Sequence, residues 1–286
     1  MLINNKVLKV EEENKVCSLL GKGNSISKDA IRVLLKKDYK DIEIYTYKLI
    51  DSTNEEAKKI AKKGAKDGTV IIAEEQSAGK GRMGRSFYSP ANTGIYMSII
   101  LRPKLTSMDS VLVTTAASVC ICNAIYKTTG IQCEIKWIND IYINNKKVAG
   151  IITEASTNSQ SGIIDYLILG IGINFNKPKD NFPNEIKNIA TSLFDNDSNG
   201  KTRNILCAEI INNILNMISN IKNYDFISEY KEKSIIMNKD IMYTISGKSF
   251  FGKVIDISNE GSLIIKDKYD NIIILSSSEV TIRRLN

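Results

Sequence analysis

The chain has 286 residues, of which 43% are hydrophobic and 25% charged, and it carries a formal net charge of +7. This composition is typical of an ordinary soluble globular protein, and the length allows one large domain or two unequal ones. The absence of histidine excludes Ser-His-Asp and Cys-His nucleophiles, histidine general bases and the usual zinc sites.

The cysteines and the apolar segments bear on the cellular compartment. The five cysteines show no CxxC spacing, as expected for reduced thiols in a cytosolic protein. Residues 1–9 contain no apolar core of a signal peptide, and no apolar run reaches the roughly 18 residues of a membrane-spanning helix. We therefore expect a cytoplasmic protein with no membrane partner.

Residues 1–42 are predicted to be a lead-in segment that packs on the main domain. Its one clear element is a helix that begins at Ser27 or Asp29 and carries Ile31, Leu34 and Leu35 on its apolar side. Residues 43–50 alternate between apolar and polar types and predict a strand.

A second helix is predicted to follow that strand directly. Ser52 with Glu55, and Thr53 with Glu56, both match the capping-box pattern, and Gly64 is placed to end the helix. The small polar residues at its start cap the helix, and the same groups can hydrogen-bond a polar ligand.

A loop rich in glycine and cations, residues 76–90, lies between predicted strands at residues 69–74 and 94–101. Glycine lets the backbone turn sharply and approach a ligand, and interleaved cations suit an anion. The loop matches GxGxxG, but the dinucleotide fingerprint needs a helix directly afterwards, whereas Ser89, Pro90 and a strand follow here. A phosphate-binding loop and a solvated basic turn both remain open. Glycines and cations alternate at Gly79, Lys80, Gly81, Arg82, Gly84 and Arg85.

The rest of the chain predicts a larger and a smaller unit. Residues 110–129 read as a buried helix that ends at Gly130, and residues 202–221 as an amphipathic helix. Gly170 and Gly172 allow close backbone approach within a strand at residues 163–173. Further strands are predicted at residues 133–137, 141–143 and 147–154, and five short ones, typical of a small β-barrel, at residues 240–245, 249–257, 263–266, 272–275 and 280–284.

A second polar cluster comprises Lys136, Asn139, Asp140 and Lys147. An Asn-Asp pair at a strand end suits Mg²⁺, which prefers oxygen ligands and substrate phosphates. Phe87, two residues beyond Arg85 of the loop, can stack on a base. For Asp140 the alternative is a residue that starts a turn, and for Lys147 it is a solvated lysine at a strand end.

Five motifs in this order and spacing resemble those of bacterial biotin–protein ligases, over roughly residues 43–286. Two residues depart from the family pattern: Lys80 stands where the loop usually has arginine, and Ile138 where the Lys-Trp-Pro-Asn-Asp motif has proline. The motifs occupy residues 51–54, 75–85, 136–140, 147–151 and 170–174.

The resemblance implies an α+β fold with a mixed central β-sheet and flanking helices, as in class II synthetases, over residues 43–236. An SH3-like β-barrel would follow at residues 237–286, and residues 1–42 would hold no complete helix-turn-helix. The activity implied is activation of biotin with MgATP to biotinyl-5′-AMP, then transfer to a lysine of a biotin carboxyl carrier protein or domain of acetyl-CoA carboxylase or a related carboxylase. A homodimer is possible in this family.

The same resemblance assigns roles to residues of this sequence. Arg82, Lys147 and Arg85 would act in catalysis, and Asp140 would contact Mg²⁺. The ATP side would comprise Arg85, Phe87, Lys136, Asn139, Asp140 and Asn174. The biotin side would comprise Ser52, Thr53, Asn54, Gln76, Lys80, Gly81, Arg82, Lys147, Gly170 and Gly172.

Two other functions are alternatives to this one. In a bifunctional ligase and biotin-operon repressor, a DNA-binding module would precede the catalytic region. About 25 residues precede the predicted lead-in helix, too few for a three-helix DNA-reading module, so DNA is not an expected partner. A lipoate ligase would share the scaffold, but the Ser-Thr-Asn and glycine-loop motifs disfavour it.

Overall fold

The computed structural model describes residues 25–106, 109–158, 160–195, 203–221, 225–245, 247–276 and, for the backbone, 281–284. Residues 1–24 of the predicted lead-in segment lie outside this part. The helices are α1 (Lys28–Leu34), α2 (Thr53–Lys62), α3 (Ser110–Thr129), α4 (Arg203–Ser219) and α5 (Ile227–Lys233). The first seven strands are β1 (Ile44–Tyr47), β2 (Val70–Ala73), β3 (Gly94–Leu101), β4 (Glu134–Lys136), β5 (Asp140–Ile143), β6 (Lys146–Thr157) and β7 (Ile164–Asn174).

These seven strands form one mixed sheet in the order β1-β2-β3-β7-β6-β5-β4. Strands β1 and β2 are parallel, and the other neighbours are antiparallel. Strand β3 is buried along its whole length because it lies inside the sheet with both faces covered. The predicted fold, a mixed sheet with flanking helices, is confirmed.

The two faces of the sheet differ in character. On one face α2 packs through Ala57 and Ala61 against Ile71, Ile100 and Ile168. The register also puts Ser98 opposite Gly170, and Gly170 opposite Ile152, so small residues form a depression beside that helix. The opposite face carries the main apolar core, which includes residues of α3 and α4.

Helix α1 packs on α4. The Ser27 hydroxyl caps α1 by accepting from the Ala30 N–H at 3.4 Å, as the sequence predicted. The Asn204 carboxamide oxygen of α4 accepts from the Ser27 N–H at 2.9 Å. Asn212, two turns further along α4, accepts from the Lys36 N–H at 2.9 Å. The lead-in helix is thereby fixed to the core by polar contacts.

Helix α3 has the bounds that the sequence predicted and ends at Gly130, which adopts a left-handed conformation with φ of 77°. It is long and apolar enough to cross a membrane by length and composition alone, but 67% of its most apolar window is buried within the fold. It is therefore the central core helix of the larger unit.

The predicted capping box of α2 does not form. The helix begins at Thr53 with Ser52 at the N-cap position, but the Ser52 side chain makes no capping hydrogen bond. The two glutamates that would complete the box are held elsewhere: Glu55 by Lys58 and Lys80, and Glu56 by Lys59 and Tyr47. Those partners draw the carboxylates away from the helix start.

Five strands form a second, antiparallel sheet, which is consistent with the small C-terminal β-barrel that the sequence predicts. It contacts the larger unit through the turn after β4 and through α5: the Trp137 Nε1–H donates to the Gly261 carbonyl at 2.9 Å, and Lys231 of α5 pairs with Asp256 at 2.6 Å. The peptide bond that joins Trp137 to Ile138 is cis. The strands of this sheet are β8 (Asp240–Ile245), β9 (Lys248–Ile257), β10 (Leu263–Lys266), β11 (Ile272–Leu275) and β12 (Thr281–Arg284). They lie in the order β11-β10-β9-β8-β12.

Candidate active site

A cleft lies between the glycine-bearing face of the sheet, the start of α2 and the glycine loop. Twelve of the sixteen residues assigned by the resemblance line it, together with four that were not assigned. The assigned residues are Ser52, Thr53, Asn54, Gln76, Lys80, Gly81, Arg82, Phe87, Asn139, Lys147, Gly170 and Gly172; the others are Gly150, Ile151, Ile152 and Ile171.

One end of the cleft is lined by neutral polar side chains that hydrogen-bond one another. The Gln76 carboxamide oxygen accepts from the Thr53 N–H at 2.8 Å and from the Thr53 hydroxyl at 3.1 Å. The Thr53 hydroxyl in turn accepts from Ser98 at 2.8 Å. The Gln76 amide nitrogen donates to Ser89 at 2.9 Å. These contacts fix the positions of donors and acceptors in a buried region.

Asn54 is held at both ends of its carboxamide. Its nitrogen donates to the Glu154 carboxylate at 2.7 Å, and its oxygen accepts from the Ser98 hydroxyl at 2.6 Å. Ser98 has one hydrogen, so it serves Thr53 or Asn54 at a given moment. Asn54 is 4% exposed, so its orientation is decided by these protein partners.

Two glycines form the floor of the cleft, in the strand where the sequence predicts close backbone approach. A Cβ at Gly170 would lie inside contact distance of the Asn54 carboxamide oxygen and 2.7 Å from the Ile152 side chain. A Cβ at Gly172 would lie 2.7 Å from the Phe87 ring. Real Cβ atoms do not come this close, so both positions need glycine for the approach of their neighbours.

The glycine loop is folded back on itself like a short hairpin. The Gly81 N–H donates to the Arg85 carbonyl at 2.7 Å, and the Phe87 N–H to the Gly79 carbonyl at 2.8 Å. Met83 and Gly84 at its tip have φ of 57° and 71°, the left-handed region that glycine adopts without strain. The loop covers one side of the cleft.

Two cations of the loop face different partners. The Arg82 guanidinium donates to the Asn139 carboxamide oxygen at 3.1 Å, and burial lowers the pKa of Arg82. Lys80 lies 2.6 Å from the Glu55 carboxylate, on the first turn of α2. Hydrogen bonds from Lys80, and then from Lys58, lower the pKa of Glu55 to about 2.

Lys147 lies across the opposite wall of the cleft. Its ammonium is 2.6 Å from the Asp140 carboxylate, and it extends over Gly150, where a Cβ would lie 3.0 Å from the lysine nitrogen. Asn139 is fixed by donating to the Ile151 carbonyl at 2.6 Å. The cleft thus has a cationic end formed by Arg82 and Lys147 and a neutral polar end formed by Thr53, Asn54 and Gln76.

Four of the assigned residues do not line the cleft. Arg85 is exposed on the loop, and Lys136 lies over the Tyr142 ring at 5.7 Å. Asp140 is behind Lys147, and the Asn174 amide donates to the Thr191 carbonyl at 2.9 Å.

Ser98 and Glu154 contact the cleft residues and were not singled out from the sequence. Ser98 and Tyr96 are the residues with a hydroxyl group in the strand Gly94–Leu101, and Ser98 is fully buried. A serine inside an apolar strand was the feature of the sequence that could have indicated a polar site there. Glu154 follows an apolar stretch of β6 and reads there as an ordinary strand-end acid. Their partners are far away in sequence, so the sequence alone could not pair them.

The residues around Asp140 fit a divalent cation that arrives with phosphates, but not a resident metal site. One carboxylate beside an asparagine carboxamide can contribute to a Mg²⁺ shell completed by substrate oxygens and water. Within the described ranges no group of three or more His, Cys, Asp or Glu residues is placed to hold a metal ion.

The chain is similar to known proteins over most of its length. Residues 46–174 match the model of the biotin/lipoate A/B protein ligase family. The bifunctional ligase/repressor BirA of Bacillus spizizenii is 34% identical over 257 residues, which cover 87% of this chain and 77% of that protein. The biotin–[acetyl-CoA-carboxylase] ligase of Mycobacterium tuberculosis is 25% identical over 237 residues, covering 80% of this chain and 85% of that one.

Solved structures show the same relation. The biotin protein ligase of Aquifex aeolicus in complex with biotin and ATP superposes with a TM-score of 0.71 at 27% identity, covering 85% of this chain and 99% of that chain. The apo form of that ligase gives a TM-score of 0.69. The ligase of Leishmania major with biotinyl-5-AMP, at 20% identity and a TM-score of 0.55, shows a shared fold. Sequence identity over most of both chains therefore shows that this chain belongs to the biotin protein ligase family.

Proposed function

We propose that the chain joins biotin to a carrier protein in two steps at this cleft. In the first, the biotin carboxylate attacks the α-phosphate of ATP, which forms biotinyl-5′-AMP and releases pyrophosphate. In the second, the amine of a carrier lysine attacks the acyl carbon, forms an amide and releases AMP. The observation that carries this proposal is one cleft with a neutral polar end and a cationic end, both built from the family motifs.

The neutral polar end suits the ureido ring of biotin. A cyclic urea offers two N–H donors and one carbonyl acceptor, and Thr53, Asn54 and Gln76 offer both kinds of partner. Ser52 lies beside them in the cleft lining. The bare backbone at Gly170 lets the Asn54 carboxamide lie close against the sheet at this end of the cleft.

The cationic end suits the meeting of two anions. A carboxylate and a triphosphate repel each other unless positive charge lies between them. We assign Lys147 to the biotin carboxylate, Arg82 and Lys80 to the closed loop over the adenylate, and Arg85 to the triphosphate. A carboxylate is ionised already, so the first step needs no strong general base and a chain without histidine can perform it.

The nucleotide would lie next to Phe87, whose ring is against Gly172. We assign Phe87 to the adenine, and Lys136, Asn139, Asp140 and Asn174 to the ribose and phosphate side. Mg²⁺, when bound with ATP, would neutralise part of the phosphate charge, and Asp140 is the residue proposed to contact it.

We also propose the domain division and the partner. Residues 43–236 would form the catalytic domain and residues 237–286 the SH3-like barrel, preceded by the lead-in segment at residues 1–42. The acceptor would be a cytoplasmic biotin carboxyl carrier protein or domain of a biotin-dependent carboxylase, since a relative bears the name biotin–[acetyl-CoA-carboxylase] ligase. A homodimer is the oligomer that we would test first.

The test is a transfer assay read by mass. The protein is incubated with biotin, MgATP and a biotin carrier domain, and the carrier is weighed by mass spectrometry. We expect a gain of one biotinyl group, and no gain without ATP or with Lys147→Ala. An unchanged carrier mass, or an equal gain with lipoate in place of biotin, would contradict the proposal.

DNA binding is the second candidate because relatives are named bifunctional ligase/repressor. It is tested by titrating the adenylate-loaded protein onto duplex DNA from its own biotin genes and onto scrambled DNA. Equal, weak and salt-sensitive binding to both would count against a repressor role.

A further inference from the structure

Glu154 is the charged side chain that contacts the polar end of the cleft from behind. One carboxylate oxygen accepts from the Asn54 amide nitrogen at 2.7 Å, and the other accepts from the Lys58 ammonium at 2.6 Å. Lys58 also lies 3.0 Å from Glu55, which holds Lys80 of the glycine loop. Three elements, β6, α2 and the loop, therefore meet through this one chain of charges.

A carboxylate only accepts hydrogen bonds, and this determines the orientation of Asn54. Its NH₂ group must face Glu154, so its oxygen must face Ser98 and the floor at Gly170. That oxygen is then a fixed acceptor at the polar end of the cleft. With the opposite orientation the cleft would present a donor instead.

We propose that Glu154 is a positioning residue for biotin: it fixes the Asn54 carboxamide so that its oxygen accepts from a ureido N–H. This inference rests on the proposed function. It explains why an acid that is 29% exposed on its side chain is turned inward, onto an amide, as well as onto Lys58. Lys58 steadies the carboxylate from the other side.

The contacts also separate positioning from stability. The side chains of Glu154 and Lys58 are 29% and 28% exposed, and ion pairs that water reaches add little to folding. The consequence of losing Glu154 should therefore appear in biotin binding, and hardly in the melting temperature.

The experiment measures biotin and ATP affinity by calorimetry for the parent, Glu154→Gln, Lys58→Met and Glu56→Gln. A glutamine can donate as well as accept, so both orientations of Asn54 become accessible. We expect biotin to bind about tenfold more weakly to Glu154→Gln, as for loss of one fixed hydrogen bond. Binding of ATP alone and the melting temperature should be unchanged.

Lys58→Met keeps the carboxylate but frees it, so we expect a smaller weakening of biotin binding, about threefold. Glu56→Gln is the matched control, because it makes the same chemical change on the helix that carries Asn54 and Lys58. In the part of the chain that the structure describes, the Glu56 carboxylate contacts Tyr47 and Lys59, and neither residue lines the cleft. This variant should bind biotin as the parent does.

The outcomes distinguish this inference from the proposed function. A parent that binds biotin, with Glu154→Gln binding equally tightly, overturns the positioning role alone. Equal weakening of biotin and ATP together with a lower melting temperature also overturns it, because that pattern marks a structural residue. A parent that binds no biotin overturns the proposed function itself.

Discussion

Gly170 and Gly172 are the residues at which the cleft has least room. They lie on one face of β7, two residues apart, and each is in contact with a different side chain: Asn54 for the first and Phe87 for the second. The same addition of one methyl group therefore tests the two ends of the cleft separately.

We expect Gly170→Ala to weaken biotin binding at least tenfold, because the new Cβ must displace Asn54 and Ile152. Overpacking of this kind costs about 1–3 kcal/mol. Gly172→Ala serves as the matched variant and should instead displace Phe87 and weaken nucleotide binding. Calorimetric titration with each ligand checks both. If both variants weakened biotin binding equally and left nucleotide binding unchanged, the assignment of biotin to the Gly170 end and of nucleotide to the Gly172 end would be contradicted.

Glu55 provides a prediction about pH. Its pKa is lowered from 4.5 to about 2, first by the hydrogen bond from Lys80 and then by that from Lys58. A lowered folded-state pKa means that the contact is fully present above about pH 4.5 and is lost as the pH falls toward 2. Loop closure by Lys80 should thus be insensitive to pH throughout the neutral range.

Carbon-detected NMR titration of the glutamate carboxyls measures this pKa directly. In Lys80→Met the pKa of Glu55 should rise toward its ordinary value, because the hydrogen bond that lowers it most is gone. A Glu55 carboxyl that titrates near 4.5 in the parent would show that Lys80 does not hold it in solution.

At the scale of the elements, Arg203 connects the start of α4 to the end of β2. Its side chain is fully buried, lies 2.7 Å from Glu74 and donates to the Gly94 carbonyl at 2.9 Å. Glu74 also accepts from the Ile26 N–H at 2.6 Å, so the lead-in segment joins the same cluster. A buried charge with several partners should be costly to remove.

We expect Arg203→Met to destabilise the protein by about 3–5 kcal/mol, since it leaves the Glu74 carboxylate without its buried partner. Lys127→Met is the matched control. It breaks the pair with Glu209 at 2.9 Å, in which the lysine is 67% exposed, and should cost no more than about 1 kcal/mol. Urea denaturation followed by circular dichroism measures both. Similar losses for the two variants would contradict this view of Arg203.

The elements were predictable to different degrees. Helix α3 was predicted with its observed bounds, because residues 110–129 are apolar through most of their length and Gly130 closes the helix. The start of α2 was also predicted, but the prediction of a capping box was wrong. Lys80 and Tyr47, which are distant in sequence, hold the two glutamates instead. The local sequence pattern predicts the helix. Side chains that are distant in sequence determine which hydrogen bonds the polar residues of the helix make.

The site was predictable where a motif carried it. Thr53, Gln76, Arg82 and Lys147 were assigned from the motifs, and the fold brings them into one cleft. Glu154 was missed, because its role depends on a contact with Asn54, one hundred residues away in the sequence. The roles of all these residues remain predictions until ligand binding is measured.

At the scale of the whole molecule, the two sheets share one apolar core. Residues of β8, β9 and β10, among them Ile241, Val254 and Leu263, belong to the same buried cluster as α3 and α4. Trp137, the sole tryptophan of the chain, is 5% exposed at this junction and donates to Gly261. It stands two residues before Asn139 of the cleft.

We expect the tryptophan emission and the circular dichroism to change together in urea, in one transition, because a shared core unfolds as a unit. Trp137→Phe would leave the Gly261 carbonyl without its donor and lower the stability by about 1–3 kcal/mol. Emission that changes at a lower urea concentration than the dichroism would show that the C-terminal sheet separates first.

The floor of the cleft at Gly170 and Gly172 affects how the protein should be surveyed by mutation. An alanine scan removes side chains and counts what is lost, but a floor made of backbone has no side chain to remove. Such a scan would detect the contribution of Asn54 and Phe87, but it would not detect that of the glycine backbone against which they pack. Only substitutions that add atoms report on it, so a survey of this enzyme family needs enlargements as well as truncations.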